Sequence, residues 1–103
     1  MIVRIWNART TKENAPAYHA QLESSVFPVM RNLKGFVSAE VLEREDGGEV
    51  EIMVLSRWAN MAAVRAFAGD AFEQAVVTPA ARAALTSFDE QVSHYHVKAE
   101  CKA

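Results

Sequence analysis

The feature that most constrains the fold is a pair of strand-like segments around a tight glycine turn. The first runs from Phe36 to Glu45 and the second from Glu49 to Trp58, and both alternate apolar with polar residues, a pattern typical of strands. Asp46-Gly47-Gly48 separates them, and glycine accepts the positive φ angles that tight hairpin turns require. The sequence therefore predicts a long antiparallel hairpin in the middle of the chain.

Further strands and a first helix surround this hairpin. The β-branched and aromatic residues of Ile2 to Arg9 predict a first strand, and Glu90 to Lys98 predicts the last one. Between the first strand and the hairpin, apolar residues recur every three or four positions as far as Leu33, which predicts an amphipathic helix. Pro28 lies inside this helix and removes a backbone donor, so we expect a kink or a broken turn there.

A second helical region follows the hairpin in pieces. One helix is predicted from Met61 to Ala68, before Gly69. A second is predicted from Asp70 to Val77, because Asp70 and Glu73 have capping-box spacing, and a third begins at Thr78-Pro79. The order is therefore β-α-β-β-α-β, which predicts an α+β fold with a four-stranded antiparallel sheet and helices on one face.

Both faces of the predicted sheet are apolar, although helices can cover only one of them. An uncovered apolar sheet face is an association surface, so we expect a second copy to cover it and the protein to be a homodimer. Alternation along the strands assigns residues to the two faces. We expect Trp6, Met53 and Leu55 on the dimer face, and Val3, Ile5, Ile52 and Val54 against the helices.

Composition excludes several classes of protein. Eleven basic and thirteen acidic residues give a formal net charge of -2, which argues against nucleic-acid binding. The single cysteine, Cys101, allows no internal disulfide. Arg4 interrupts the apolar start after three residues, which is too short for a signal-peptide core, and no later segment approaches a membrane span. We expect one cytoplasmic domain over residues 1–103, with an ordered core at about 2–98 and no membrane partner.

Three polar residues are candidates for catalysis. His94 and His96 are two apart on the last strand and point to the same face. One of them could be a general base, or they could be a packing and a surface residue; a metal site would need a third ligand, such as His19, and we expect none. Asn7 lies among apolar residues of the first strand, where its amide would bind either a ligand or the facing helix.

Four aromatic residues near the broken helices are candidates for substrate binding. They could line a flat apolar pocket for an aromatic ligand, or they could form the core of a small domain. They are Trp58, Phe67, Phe72 and Phe88.

The chain from Ile2 to Val97 resembles the antibiotic biosynthesis monooxygenase family. The segments that carry the resemblance are GFVSAEVLEREDGGEVEIMVLSRW, MAAVRAFAGDAFEQAVVTPAARAAL and FDEQVSHYHV. The resemblance implies a ferredoxin-like fold that dimerises through its sheets into a dimeric α+β barrel. It also implies enzymes that oxidise phenolic or anthrone-like substrates without a cofactor, relatives that oxidise quinols, and a haem-degrading branch.

Site positions carried over from the family are only partly matched. The haem-degrading branch has an asparagine, a tryptophan and an iron-ligating histidine at positions that are here Asn7, Phe67 and Val77. Valine cannot ligate iron, so we expect no haem. The sequence also has no nucleotide-binding loop and no convincing set of metal ligands, so we expect no other cofactor. The polyketide-oxidising branch has a tryptophan that matches Trp58, and an asparagine four residues earlier that is here Val54.

The resulting hypothesis is a cofactor-independent monooxygenase for an aromatic, phenolic or quinol-type small molecule. Asn7 would hold the substrate or the reacting oxygen, and His94 or His96 would accept a proton. The alternative is a dimeric ligand-binding or stress-related protein that keeps the fold without catalysis. The two differ in whether a base and an oxyanion-stabilising group face one cavity.

Overall fold

A computed structural model describes residues 1–103 as a twisted antiparallel sheet with helices on one face. The strands are β1 (Ile2–Thr11), β2 (Phe36–Asp46), β3 (Glu49–Trp58), β4 (Ser87–Phe88) and β5 (Ser93–His96). The helices are α1 (Ala15–Gln21), α2 (Phe27–Arg31), α3 (Met61–Ala68) and α4 (Pro79–Ala83), and a π-helical segment, Leu22–Val26, joins α1 to α2. The predicted α+β architecture and the central hairpin are confirmed.

The sheet has the order β2-β3-β1-β4, with β5 also paired to β1. β4 lies opposite Ala8 and Arg9, and β5 lies opposite Ile2 to Ile5. The two short strands therefore share the same edge of β1 and together occupy the fourth position of the sheet. The last strand, predicted from Glu90 to Lys98, is shorter and spans only Ser93–His96, while β4 was not predicted; residues 89–92 leave the ladder between the two strands.

The helix predicted from Asp70 to Val77 does not form. Gly69 ends α3 with φ of 81°, and the following residues up to Thr78 are irregular. This irregular connection, residues 70–78, pairs with the chain between β4 and β5: the Ala75 amide donates to the Glu90 carbonyl at 2.8 Å, and the Val92 amide donates to the Glu73 carbonyl at 2.8 Å. These bonds compete with a helix, and Pro79 disfavours helical geometry in the residue before it.

The predicted disturbance at Pro28 appears one turn earlier, as the π-helical segment. Proline lacks an N–H and its ring cannot pack against a normal preceding turn, so the helix widens before it. Leu22 and Met30 nonetheless stay buried against the sheet. The helical layer thus keeps one apolar face although its hydrogen-bond pattern changes.

The two faces of β1 are the reverse of the sequence-based assignment. Ile2, Arg4, Trp6, Ala8 and Thr10 are buried beneath the helices. Trp6 packs against Tyr18 of α1, with ring centroids 6.4 Å apart, so its expected place on the dimer face was wrong. Val3 and Ile5, which were expected against the helices, lie on the uncovered face of the sheet.

The β3 assignment, in contrast, was correct. Ile52 is fully buried under the helices, and Met53 lies on the uncovered face opposite Asn7. Leu55 lies opposite Ile5 on that same face. We call this uncovered surface the open face; its apolar residues are Val3, Ile5, Leu42, Met53, Leu55 and Tyr95.

None of the helices is long and apolar enough to cross a membrane.

Candidate functional site

A cavity of about 40 Å³ lies between the sheet and the helices and opens to the surface on one side. Nine of its eleven lining residues are hydrophobic. The sheet contributes Trp6 and Val54, the helical layer contributes Leu22 and Met30, and α3 contributes Phe67. Such a lining suits an apolar or aromatic group.

Three polar residues lie side by side on the sheet, and two of them, Arg4 and Ser56, line this cavity. Arg4 is the direct partner of Ser56 on β3 and of His94 on β5. Residues that are opposite one another in a ladder point to the same face, and for this row that is the face beneath the helices. We call Ser56, Arg4 and His94 the polar row.

Arg4 is the centre of the polar row and is only 5% exposed. Its Nη1 donates to the Phe72 carbonyl at 2.6 Å and lies 3.0 Å from Nε2 of His94. Its Nη2 donates to the Gln74 carbonyl at 3.2 Å. The guanidinium thus holds the irregular connection against the sheet, and it also lies 5.8 Å from the centroid of the Phe67 ring.

The charge of Arg4 has no carboxylate partner. The ion pairs of the protein involve other residues, all on or near the surface. Burial lowers the pKa of Arg4 from its ordinary value to about 10, which leaves the guanidinium protonated at neutral pH. A buried cation without a counter-ion is costly and uncommon.

His94 is held as a neutral imidazole. Burial lowers its pKa below the ordinary 6.5, and the neighbouring charge of Arg4 lowers it further, although Glu73 acts in the opposite direction. Arg4 has only donors, so Nε2 of His94 must be the acceptor and the ring proton must be on Nδ1. The Phe72 ring fixes the imidazole from the side, with centroids 5.6 Å apart.

Two hydroxyl groups complete the polar groups near the cavity. The Ser56 Oγ accepts a hydrogen bond from the Trp58 indole at 2.9 Å, which leaves the Ser56 O–H free to donate. Tyr18 is 1% exposed and lines the cavity, but its hydroxyl has no hydrogen-bond partner in the chain. Burial raises the pKa of Tyr18 well above its ordinary range, so its hydroxyl stays protonated.

The structure separates the three residues expected to be catalytic. His94 belongs to the polar row. His96 lies opposite Ile2 and is exposed. Asn7 lies on the open face opposite Met53, so its amide does not enter the gap between sheet and helices.

The four aromatic residues expected to bind substrate are also divided. Phe67 lines the cavity. Trp58 is fully buried below it, between Phe36 and Phe67, and Phe72 packs on His94. Phe88 packs on Trp6 and lies 4.9 Å below the Arg82 guanidinium, at a separate surface depression.

Sequence reasoning did not single out Arg4, Ser56 or Tyr18. A signal for Arg4 was present, since it is a lone charge in the alternating set Ile2, Arg4, Trp6 and Ala8. Ser56 occupies the same kind of position in β3. Tyr18 carries no comparable signal, because a tyrosine in an amphipathic stripe is ordinary core.

No group of three histidine, cysteine, aspartate or glutamate side chains is placed to hold a metal ion. In particular, His19 pairs with Glu43 at the surface, away from the polar row.

Comparison with known proteins assigns the family. The family model described as antibiotic biosynthesis monooxygenase matches residues 1–86. The chain belongs to this family. Among curated proteins, none matches it.

Several solved structures share the fold of this chain at low sequence identity. A Bacillus cereus protein provisionally named an antibiotic biosynthesis monooxygenase is 16% identical with a TM-score of 0.73, over 100% of this chain and 96% of its own. A variant of MhuD, with two manganese protoporphyrin IX molecules bound per active site, is 21% identical with a TM-score of 0.67, over 100% of both chains. SnoaB, a cofactor-independent oxygenase from Streptomyces nogalater, is 20% identical with a TM-score of 0.59, over 96% of this chain and 95% of its own. These likenesses support the fold of this chain.

Proposed function

We propose that this family member is a monooxygenase that oxidises a small electron-rich aromatic compound, a phenol or a quinol, with dioxygen and without a cofactor. The observation that carries the proposal is the cavity, whose apolar and aromatic lining includes a buried cation, Arg4, with the neutral imidazole of His94 3.0 Å from that cation. An aromatic ring suits the lining, and an ionisable hydroxyl group on that ring suits the polar end. The SnoaB structure, described as that of a cofactor-independent oxygenase, gives a precedent within the fold.

The reaction for a phenol balances without an external reductant. Loss of the hydroxyl proton gives a phenolate, whose electrons reduce dioxygen at a ring carbon. That carbon loses its hydrogen and becomes a carbonyl. One oxygen atom of dioxygen enters the product quinone and the other leaves as water, so the substrate supplies all four electrons.

His94 is the proposed proton acceptor. It is neutral at pH 7 because its pKa is lowered, so its Nε2 lone pair is available once a substrate hydroxyl replaces the Arg4 donor. Phe67 would contact the ring from α3. Asn7 and His96 lie outside this proposed site.

Oxygen uptake tests the proposal directly. Purified protein without added metal or flavin should consume dioxygen with at least one member of a panel of phenols, quinols and anthrones. His94→Gln should lower the rate, and a higher pH should partly restore it, because phenols ionise unaided near a pKa of about 10. His19→Gln is the matched control, since this histidine pairs with Glu43 away from the cavity. No uptake by the wild type with any compound of the panel would contradict the proposal.

We also propose that a second copy covers the open face. Its apolar residues form a strip across the sheet, and Leu42 and Tyr95 are 43% and 57% exposed. Ion pairs flank the strip, with Arg57 to Glu40 at 2.9 Å and Arg9 to Glu49 at 3.0 Å. Light scattering should give the mass of two chains, and Leu55→Lys should give one chain that stays folded. A stable wild-type monomer at micromolar concentration would refute the dimer.

A dimeric ligand-binding protein without catalysis is the second candidate, and the size of the cavity favours it. A volume of about 40 Å³ holds roughly three water molecules, whereas drug-sized ligands occupy about 300–1,000 Å³. Binding of an aromatic compound without oxygen uptake would favour this second candidate over the monooxygenase.

A further inference from the structure

The guanidinium of Arg4 has hydrogen-bond donors that the protein does not use. An arginine side chain carries five N–H donors. Three of them point to the Phe72 carbonyl, to Nε2 of His94 and to the Gln74 carbonyl. The Nε–H and one Nη2–H remain, and these two form the edge with which arginine grips an oxyanion through two parallel bonds.

These free donors can be reached from the cavity. Every fully buried side-chain nitrogen and oxygen atom of the protein has a hydrogen-bond partner. The unpartnered Nε of Arg4 and the unpartnered hydroxyl of Tyr18 are therefore accessible to a water-sized group. Both residues are more than nine-tenths buried and both line the cavity, so the cavity is the route to them.

The polar groups around the cavity have one character in common. Arg4 offers N–H donors, Ser56 offers an O–H whose oxygen already accepts from Trp58, and Tyr18 offers an O–H. No carboxylate lines the cavity with them. A set of donors with one positive charge and no acceptor charge is complementary to a negatively charged oxygen.

We infer that Arg4, with Ser56 and Tyr18, forms an oxyanion subsite that selects ligands carrying an ionised aryl hydroxyl group. The subsite rests on the proposed function for the aromatic nature of the ligand. The oxygen occupies the small cavity, where it becomes the missing counter-ion of Arg4. The ring extends toward the open side past Val76, which is 46% exposed.

The proposed subsite should distinguish ionised from neutral ligands of nearly equal shape. Arg4 attracts the phenolate and offers nothing comparable to a methyl ether, because an ether oxygen carries no charge. Bound phenols should therefore ionise more readily than free ones. This effect concerns binding alone, and it is measurable whether or not the ligand is oxidised.

The test uses 4-nitrophenol, whose ionised form has its own visible absorption band, and its methyl ether 4-nitroanisole. Just below the ionisation midpoint of free 4-nitrophenol, the wild type should increase the ionised fraction, and it should bind 4-nitroanisole at least tenfold more weakly. Arg4→Met should raise the dissociation constant of the ionised form roughly 10- to 100-fold. Arg4→Lys, which keeps the charge but loses the fork, should give a smaller loss.

Arg9→Met is the matched control. It removes the same charge from the same strand, but Arg9 lies on the opposite face and pairs with Glu49. The dissociation constant of Arg9→Met for ionised 4-nitrophenol should stay within about twofold of the wild-type value. Circular dichroism checks that each variant is folded, and the comparison of the two probes in the wild type needs no variant.

The outcomes separate this inference from the proposed function. The oxyanion subsite is overturned if the wild type binds neither probe or binds both equally. It is also overturned if folded Arg4→Met binds 4-nitrophenol as tightly as the wild type does. A retained preference for the ionised probe together with no oxygen uptake from the phenol panel supports the subsite and overturns the monooxygenase. Oxygen uptake without a preference for the ionised probe supports the monooxygenase and overturns the subsite.

Discussion

The free hydroxyl of Tyr18 gives a prediction that separates a ligand contact from a structural bond. Tyr18→Phe removes one oxygen from a residue that is 1% exposed and has no hydrogen-bond partner. Thr10→Val removes one oxygen from a residue that is fully buried and donates to the Ala84 carbonyl at 2.6 Å. The two changes are alike in burial and differ in whether a protein partner is left behind.

The expected free energies of unfolding follow from that difference. Thr10→Val leaves a buried carbonyl unsatisfied, which costs about 1–3 kcal/mol. Tyr18→Phe leaves nothing unsatisfied and removes a poorly solvated hydroxyl, so its free energy of unfolding should be unchanged or up to about 1 kcal/mol higher. For a chain of this size, 1 kcal/mol shifts the Tm by roughly 4–8 °C.

Urea denaturation followed by tryptophan fluorescence measures both variants against the wild type. Affinity for 4-nitrophenol should fall several-fold in Tyr18→Phe, although its stability does not. If Tyr18→Phe is destabilised as much as Thr10→Val, the Tyr18 hydroxyl has a structural partner and cannot be a free ligand contact. In that case the donor set of the subsite loses one member.

Two further predictions concern packing and pH. Gly35→Ala should be less stable than Gly48→Ala by about 1–3 kcal/mol. The two glycines have similar φ angles, 89° and 85°, but only at Gly35 would the new Cβ lie 2.7 Å from the Ala63 Cβ. Equal urea midpoints for the two variants would contradict this prediction. The His94 pKa, followed by NMR, should lie below 6.5 and rise in Arg4→Met, because one cause of its lowering is removed while burial remains. The unfolded chain then binds more protons, so the stability from His94 is complete above pH 6.5 and decreases as the pH falls through 6.5 toward the folded pKa; a wild-type pKa at or above 6.5 would contradict it.

Local patterns predicted most of the fold. The Asp46-Gly47-Gly48 turn predicted the hairpin, which closes in the structure with Asp46 opposite Glu49. The assignment of the β1 faces failed for a physical reason. Both sets of alternating residues mix apolar with polar members, with Arg4 in one set and Asn7 and Arg9 in the other, so periodicity could not decide which set is covered. The structure buries the set that contains Arg4.

The candidate site was beyond local reasoning because its contacts are distant in sequence. Arg4 bonds to groups 68, 70 and 90 residues away, and none of these pairings leaves a periodic signal. The same contacts explain why the helix predicted for residues 70–78 is missing. Two carbonyls that a helix would use internally, those of Phe72 and Gln74, accept from Arg4 instead, so the buried charge and the irregular connection depend on each other.

β1 is the strand on which the two proposals meet. It is paired with β3 on one side along its whole length, and with β4 and β5 on the other side at residues 8–9 and 2–5. Its even-numbered residues therefore reach partners from both halves of the chain, which brings Ser56 and His94 to Arg4. Its odd-numbered residues, Val3 to Asn7, form the middle of the open face. Because successive residues alternate between the two faces, a one-residue slip of β1 would place Arg4 in the proposed dimer interface and Asn7 in the cavity. The ligand site and the dimer surface thus depend on the same register.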